Sequence, residues 1–268
     1  MATSFEPHPS LTPRVASLTP AELAEYDARG FLLIRNFLPP TFGWGMMDEA
    51  VELVSHVAAG HETAAVVMPE ANLAAQASKP EQYVSKVFRV HGHGAFRWLA
   101  HCEAVTSIVG QIMGPDVDCW SSQFIFKNPG AWGQPWHQDS YYFPFVPERP
   151  IVAVWLAISR ATPENGCLQV LAGSHREPLH KHHRPTRPNS NIGYREILDY
   201  DTGAAETMEM KPGDLLVFDS FLMHQSTDNL SQQPRAAIVY HYARADTVDR
   251  SRSILYEPAP VRRSSRPC

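Results

Sequence analysis

From about residue 115 onward the sequence is a succession of short β-rich runs separated by Gly, Pro and Asn, with no helical pattern between them. This texture constrains the fold more than any other feature. The runs fall at 121–127, 151–159, 167–171, 206–210, 215–218 and 235–243. Strands at this density without intervening helices point to an antiparallel sandwich or barrel. The first half reads differently. Residues 1–18 are rich in Pro, Ser and Thr and read as mobile until packed. Thr19-Pro20-Ala21-Glu22 is a capping box with Pro at the first helical position, predicting a helix to about Arg29 that Gly30 ends. A strand is expected over 31–35 and a second helix over 41–59. A third helical spacing runs over 97–113, with Trp98, Cys102, Val105, Val109 and Ile112 on one side. The expectation is one domain over 1–268: a mainly helical support over 1–114, a β core over 115–245 and a tail over 246–268. Residues 176–202 read as a long loop, and loops of that length in a compact domain are usually functional or disordered.

Composition narrows the class. At 44% hydrophobic and 19% charged residues the chain is ordinary for a globular protein. Its longest clean apolar run, 151–158, is far short of the roughly 20 residues a membrane helix needs. The N-terminus lacks the basic-then-apolar order of a signal peptide and the C-terminal Arg-Pro-Cys is not a peroxisomal tripeptide, so a cytoplasmic location is expected. A net charge of −5 argues against nucleic-acid binding. The expected partner is a small molecule, with neither nucleic acid nor membrane; oligomeric state is left open. Cys102, Cys119, Cys167 and Cys268 form no CxxC pair and are too sparse for a disulfide framework; three of them sit in apolar contexts and are expected to be buried, reduced core residues.

Trp136-His137-Gln138-Asp139 has the spacing by which a strand presents two ligands, because side chains at i and i+2 share a face. Two imidazoles and a carboxylate form the facial triad that leaves positions of Fe(II) open to other ligands. The tripeptide alone is weak. With 13 histidines and 28 acidic residues in 268 positions, chance supplies about one His-x-Asp or His-x-Glu, and the chain has three. His101/Glu103 falls in a helical run, where i and i+2 diverge. His175/Glu177 has no third ligand at a matching distance. His137 follows a Gly/Pro loop and leads into Tyr141-Tyr142-Phe143, a better context.

The second half of the constellation follows a Gly213-Asp214 turn and a hydrophobic strand: His224, Ser226, Asn229 and then Arg235. Arg235 opens an apolar strand, where an unpaired cation is out of place. A guanidinium aimed into a barrel needs an anion, and its planar fork fits a carboxylate bidentately. Singly, His224 also fits a satisfied buried histidine and Arg235 an internal ion pair. Jointly, the three features are much harder to obtain by chance.

His137-Gln138-Asp139, Tyr142-Phe143-Pro144, Asn165-Gly166-Cys167-Leu168, Gly173-Ser174-His175, Gly213-Asp214, His224, Ser226, Asn229 and Arg235 together resemble the phytanoyl-CoA dioxygenase family, over about Tyr26 to Tyr242. The resemblance implies a mainly β double-stranded β-helix (cupin-like jelly roll) with supporting N-terminal helices, and Fe(II), 2-oxoglutarate and O2 as cofactor and co-substrates. It implies His137, Asp139 and His224 as metal ligands and as the catalytic centre. Arg235 and Ser226 would hold the distal carboxylate of 2-oxoglutarate. Trp155 and Gln123 would line the co-substrate pocket, and Lys86 would face it. Ala172 stands where the family usually has proline, which affects a turn. Related halogenases carry a small residue at the position of Asp139, so halogenation is disfavoured.

The implied reaction is hydroxylation of an unactivated C–H of a small organic substrate, a secondary metabolite or an acyl-CoA or other carboxylate, with release of succinate and CO2. Desaturation, epimerisation and ring closure differ only in the fate of the substrate radical. His180-Lys181-His182-His183-Arg184, with Arg187, reads as a solvated loop or as a dock for an anionic substrate. Two other classes stay open: a cupin-fold metal enzyme that does not use 2-oxoglutarate, and a non-catalytic jelly-roll binding protein. Arg235 and Ser226 argue against the first and the complete ligand set against the second.

Overall fold

Thr19 caps the first helix as its sequence dictates: its side chain accepts the Glu22 N–H, and Glu22 reaches back to the cap N–H. The computed structural model describes residues 13, 17–73, 78–191 and 193–264. Cys268 and most of the Pro/Ser/Thr-rich stretch lie outside them. Helices α1 (Pro20–Arg29), α2 (Pro40–Ala58), α3 (Gly94–His101) and α4 (Glu103–Met113) alternate with strands β1 (Phe31–Ile34), β2 (Val66–Pro69) and β3 (Val84–Phe88). Then come β4 (Val117–Lys127), β5 (Phe145–Val146), β6 (Val152–Ala157), β7 (Leu168–Val170), β8 (Glu206–Met208) and β9 (Leu215–Asp219). The last four are β10 (His224–Ser226), β11 (Arg235–Arg244), β12 (Val248–Asp249) and β13 (Ala259–Arg262).

One expectation needs correction. The helical stretch over 97–113 is two helices, because Cys102 leaves the helical region (φ −56°, ψ 127°). The bend lets Phe96, Leu99 and Ala100 on one helix and Ala104, Val105, Ile108 and Val109 on the next all reach one core, which a single straight stripe could not do. The first 114 residues also contribute strands. Strands β1, β2 and β3 extend the main sheet, whose order is β1-β9-β6-β11-β4-β3-β2, with β13 also pairing β4. A small sheet, β10-β7-β8, faces it, and all these pairings are antiparallel. This is a cupin-like jelly roll with helices on one outer face.

Both faces of the main sheet are covered, so its strands read as continuous apolar runs instead of alternating ones. On β6, Val152, Val154 and Leu156 pack towards the helices, while Ala153, Trp155 and Ala157 pack towards the small sheet. On β11, Ile238, Tyr240 and Tyr242 take the helix side. The hydroxyls of Tyr240 and Tyr242 donate to the Phe96 and Ala100 carbonyls of α3 (2.9 and 3.0 Å), which satisfies two buried polar groups and fixes the helix to the sheet. The alternation leaves Arg235, Val239 and His241 facing inward between the sheets. Across the strand pair, Lys127, Ile125 and Gln123 do the same. Among the described residues no helix is long and apolar enough to cross a membrane.

Candidate active site

His224 opens β10, and His137 lies directly beside it. The two exchange backbone hydrogen bonds in both directions, each 3.0 Å, so their side chains share a face. Gln138 continues extended, and Asp139 then begins a tight turn, Asp139–Tyr142. The expected two-ligand strand is therefore one bridge followed by a turn; the i, i+2 alternation holds for that single step. Its consequence survives, because Gln138 points the other way. Its amide donates to the Phe221 carbonyl (2.9 Å) and accepts the His180 N–H (2.8 Å). The ligand-bearing segment is thereby pinned to the β9–β10 turn and to the long loop. The turn after Gln138 is latched by the Ser140 N–H on the Ser220 carbonyl (2.9 Å).

Asp139 Oδ1 lies 3.5 Å from His137 Nε2 and 3.7 Å from His224 Nε2, and all three residues are buried. Each imidazole Nδ1 faces a backbone carbonyl, Pro135 at 2.7 Å and Leu222 at 2.9 Å. A carbonyl can only accept, so Nδ1 carries the proton in both rings and Nε2 presents its lone pair. Two imidazole lone pairs and a carboxylate oxygen converging within 4.8 Å fit a divalent ion, and a His₂-carboxylate set with an open side suits non-haem Fe(II). The Gln134 amide now donates to His137 Nε2 (2.9 Å) and would turn aside when an ion binds. Burial alone would raise the Asp139 carboxyl. The three imidazoles around it, with the hydrogen bond from His241, outweigh burial and hold the group well below the ordinary range. Burial first, then His137, pushes His224 down to about 4, so it is neutral at pH 7 as a ligand must be.

The other end of the cavity is cationic. Arg235 is 1% exposed; its Nη2 donates to the Gly166 carbonyl (2.8 Å) while Nε and Nη1 are buried without a partner. Burial lowers it to about 10, which leaves it charged at pH 7. Its guanidinium carbon sits 5.7 Å above the Trp155 ring. Lys127 stands opposite Arg235 in the β11–β4 register and donates to Ser226 Oγ (2.9 Å) and the Thr227 carbonyl (2.6 Å). Burial, then Arg235, push Lys127 well below the usual lysine range. Neither cation forms an ion pair among the described residues. Buried donors without partners are costly, roughly 1–3 kcal/mol each and more when charged, so this end is built to receive an anion.

All the site residues expected from the sequence line one cavity of about 170 Å³: the triad, Arg235, Ser226, Trp155, Gln123 and Lys86. Gln123 Oε1 is buried there without a partner, and Lys86 Nζ donates to Gln134 Oε1 (2.8 Å), 5.0 Å above the Tyr194 ring. Sequence reasoning missed Lys127, Gln134 and His241. The first and last had a usable signal: each is a polar residue at an inward position of a strand already recognised, the same anomaly that singled out Arg235. The other His-x-acid pairs are structural. His101 Nδ1 bonds the Arg97 carbonyl (2.9 Å) and His175 Nε2 the Asp27 carbonyl (3.1 Å).

A jelly roll that sets a buried His-Asp-His triad at one end of a cavity and a buried arginine with unpartnered donors at the other is the framework of a non-haem iron, 2-oxoglutarate-dependent oxygenase. The chain belongs to the phytanoyl-CoA dioxygenase family, whose model matches residues 26–237. It is 30% identical to the peroxisomal phytanoyl-CoA dioxygenase of Rattus norvegicus over 229 residues, covering 82% of this chain and 67% of that protein. The Bos taurus protein of the same name is 38% identical over 139 residues, 50% of this chain, and the match spans only 41% of that protein's length. The structure also resembles that of the epimerase SnoN in complex with Fe3+, alpha ketoglutarate and nogalamycin RO. That likeness has a TM-score of 0.66 at 17% identity, over 86% of this chain and 85% of the other, and shows the shared fold.

Proposed function

We propose that the chain hydroxylates an unactivated C–H of a small organic substrate, consuming 2-oxoglutarate and O2 and releasing succinate and CO2. In this reading His137, Asp139 and His224 hold Fe(II), and Arg235 and Ser226 take the distal carboxylate of 2-oxoglutarate. Trp155 and Gln123 wall the co-substrate, and Lys86 lies beside it. The observation that carries the reading is Arg235, buried with two donors unpartnered in the same cavity as the triad. A metal enzyme without a carboxylate co-substrate has no use for such a group.

When bound, the iron supplies activation of O2 coupled to decarboxylation of the co-substrate. The chain's own residues do the placing. The backbone carbonyls of Pro135 and Leu222 keep both imidazoles in the ligating tautomer. His241 Nε2, 2.9 Å from Asp139 Oδ2, holds that oxygen away and leaves Oδ1 towards the imidazoles. Phe143 and Tyr256 pack against one another and help to wall the cavity. A water needs roughly 10–15 Å³ of such enclosed space, so about 170 Å³ suits the co-substrate and the reacting end of a substrate, with the substrate's bulk at the mouth.

The basic loop favours a compact metabolite over an acyl-CoA, because several of its groups are already engaged. His180 pairs with Glu177 (2.9 Å), His182 accepts the Gln138 N–H (3.0 Å), and Arg187 forks onto Asp228 (2.8 Å twice). The test is O2-dependent conversion of 2-oxoglutarate to succinate by the iron-loaded protein, expected to be stimulated by substrate. Absence of 2-oxoglutarate binding under anaerobic conditions would overturn the proposal. A panel of acyl-CoAs against small metabolites, read as stimulated turnover, decides the substrate class.

A further inference from the structure

Ser226 Oγ receives two hydrogen bonds from the protein, one from Lys127 Nζ (2.9 Å) and one from the Gln134 backbone N–H (3.2 Å). A hydroxyl oxygen has two lone pairs, and here both are taken. The hydroxyl proton is left to be donated, and Ser226 borders the cavity. The residue is thereby converted from a group that could accept or donate into one that only donates.

The backbone around it is shaped for this arrangement. Gly166 has φ +84°, and a Cβ there would stand 2.5 Å from Lys127 Cδ and 2.5 Å from the Thr227 carbonyl oxygen. The same residue's carbonyl accepts Arg235 Nη2 (2.8 Å). One glycine thus makes room for one cation and anchors the other. At Gly133 a Cβ would meet the Ser226 carbonyl oxygen at 2.0 Å, so only glycine lets this segment run close enough for the Gln134 N–H to reach Ser226 Oγ.

We infer that Lys127 is a positioning residue for the co-substrate: it fixes Ser226 as a donor at the Arg235 end of the cavity. The blind end of the cavity then selects a 2-oxo acid that terminates in a carboxylate. The inference rests on the proposal that 2-oxoglutarate seats its distal carboxylate at Arg235. Lys127 itself acts through Ser226, to which its nitrogen donates as it does to the Thr227 carbonyl.

The test compares two probes on Fe(II)-loaded protein under anaerobic conditions: 2-oxoglutarate, and 2-oxopentanoate, which replaces the distal carboxylate by a methyl group. Lys127→Met is expected to weaken 2-oxoglutarate about tenfold or more while leaving 2-oxopentanoate and Fe(II) affinity within about twofold. Adding Ser226→Ala to Lys127→Met should cost much less than Ser226→Ala costs alone, the non-additivity of groups that act as a unit. Equal weakening of both oxo acids, full additivity with Ser226→Ala, or unchanged 2-oxoglutarate affinity would each overturn the role of Lys127. If Lys127→Met does not fold, Lys127→Gln carries the same test: 2-oxoglutarate weakened about fivefold or more and 2-oxopentanoate unaffected; any other pattern overturns the inference. Wild-type protein that binds the two oxo acids equally would instead overturn the seating of 2-oxoglutarate at Arg235.

Discussion

At one end of the cavity His137 and His224 have their Nδ1–H groups tied to backbone carbonyls, at 2.7 and 2.9 Å, and offer only lone pairs to the interior. At the other end Arg235 is buried with Nε and Nη1 unpartnered, beside a buried lysine. The metal end is preorganised: ring orientation and tautomer are settled by the fold before any ion arrives. The cationic end is held in deficit by the same fold, and a ligand's carboxylate removes the deficit. Preorganisation gives affinity for an ion whatever else is bound. A deficit gives selectivity, because a ligand without the matching charge gains nothing from it.

The largest effect expected is at the preorganised end. His224→Ala removes one donor of a set with none to spare, so metal affinity and succinate formation should fall by more than the ~100-fold that loss of an outer partner costs. Fe(II) or Co(II) titration checks this, and retention of metal by the variant would dissolve the contrast at once. Next is Arg235→Ala. It should weaken 2-oxoglutarate by about 30-fold or more, in line with losing one side of a buried charge pair, and leave metal affinity within about twofold. Equal loss of both would mean that Arg235 supports the fold and not the ligand. Arg235→Met sharpens the point from the other side. If the cation is in deficit, its replacement by an apolar side chain stabilises the ligand-free protein by about 1–4 kcal/mol, readable as a higher midpoint in urea. Destabilisation would show that Arg235 is satisfied in the ligand-free state.

The two ends were also unequally legible in the sequence. Arg235 was conspicuous because a charge inside an apolar strand breaks a local rule, and such breaks concentrate at sites. Lys127 breaks the same rule at the end of its strand, at an inward position two steps from Ile125 and four from Gln123, a weaker signal because it closes the run instead of opening one. The antiparallel core was legible for the same reason as Arg235: β-rich runs and the turn residues between them are local properties. The split of the 97–113 helix at Cys102 was not, since it depends on which core both halves must reach. Nor was the pairing of β2 and β3 with β4, because Val66–Pro69 and Val84–Phe88 carry no pattern of their own and become strands only by joining an existing edge. His137 and Asp139 were found for a reason only half right. Alternation brings both to one face, but their convergence rests on the bridge to His224 and the turn at Asp139, which no spacing encodes.

His241 sharpens the comparison at the metal end, because its bond to Asp139 Oδ2 (2.9 Å) comes from the main sheet and not from the ligand loops. His241→Leu frees that oxygen and should weaken metal binding about 10–100-fold, with His241→Gln recovering part of the loss through its amide. Metal affinity unchanged in the leucine variant would show that the loops alone orient Asp139.

The smallest effect expected is on acid stability, and it also belongs to the metal end. His182 Nε2 accepts the N–H of Gln138, the residue between the two ligands, at 3.0 Å, and its ring stacks on Tyr141 at 4.2 Å. Its Nδ1 lies 2.9 Å from the His180 carbonyl, so the neutral ring uses both nitrogens. Burial, chiefly, pushes it down to about 4, against roughly 6.5 in the unfolded chain. The unfolded state therefore binds the proton more readily, and the stabilisation present above about pH 6.5 is lost as pH falls towards 4. Protonation places an N–H against the Gln138 N–H and loosens the segment that carries His137 and Asp139. His224, also held neutral at about 4, contributes with the same sign over the same window. Arg235 does not titrate there, since its value stays near 10. His182→Gln keeps an acceptor that cannot titrate, so its unfolding midpoint should fall less steeply than that of the wild type between pH 6.5 and 4. Parallel curves for the two proteins would remove His182 from the acid response and leave His224 to account for it.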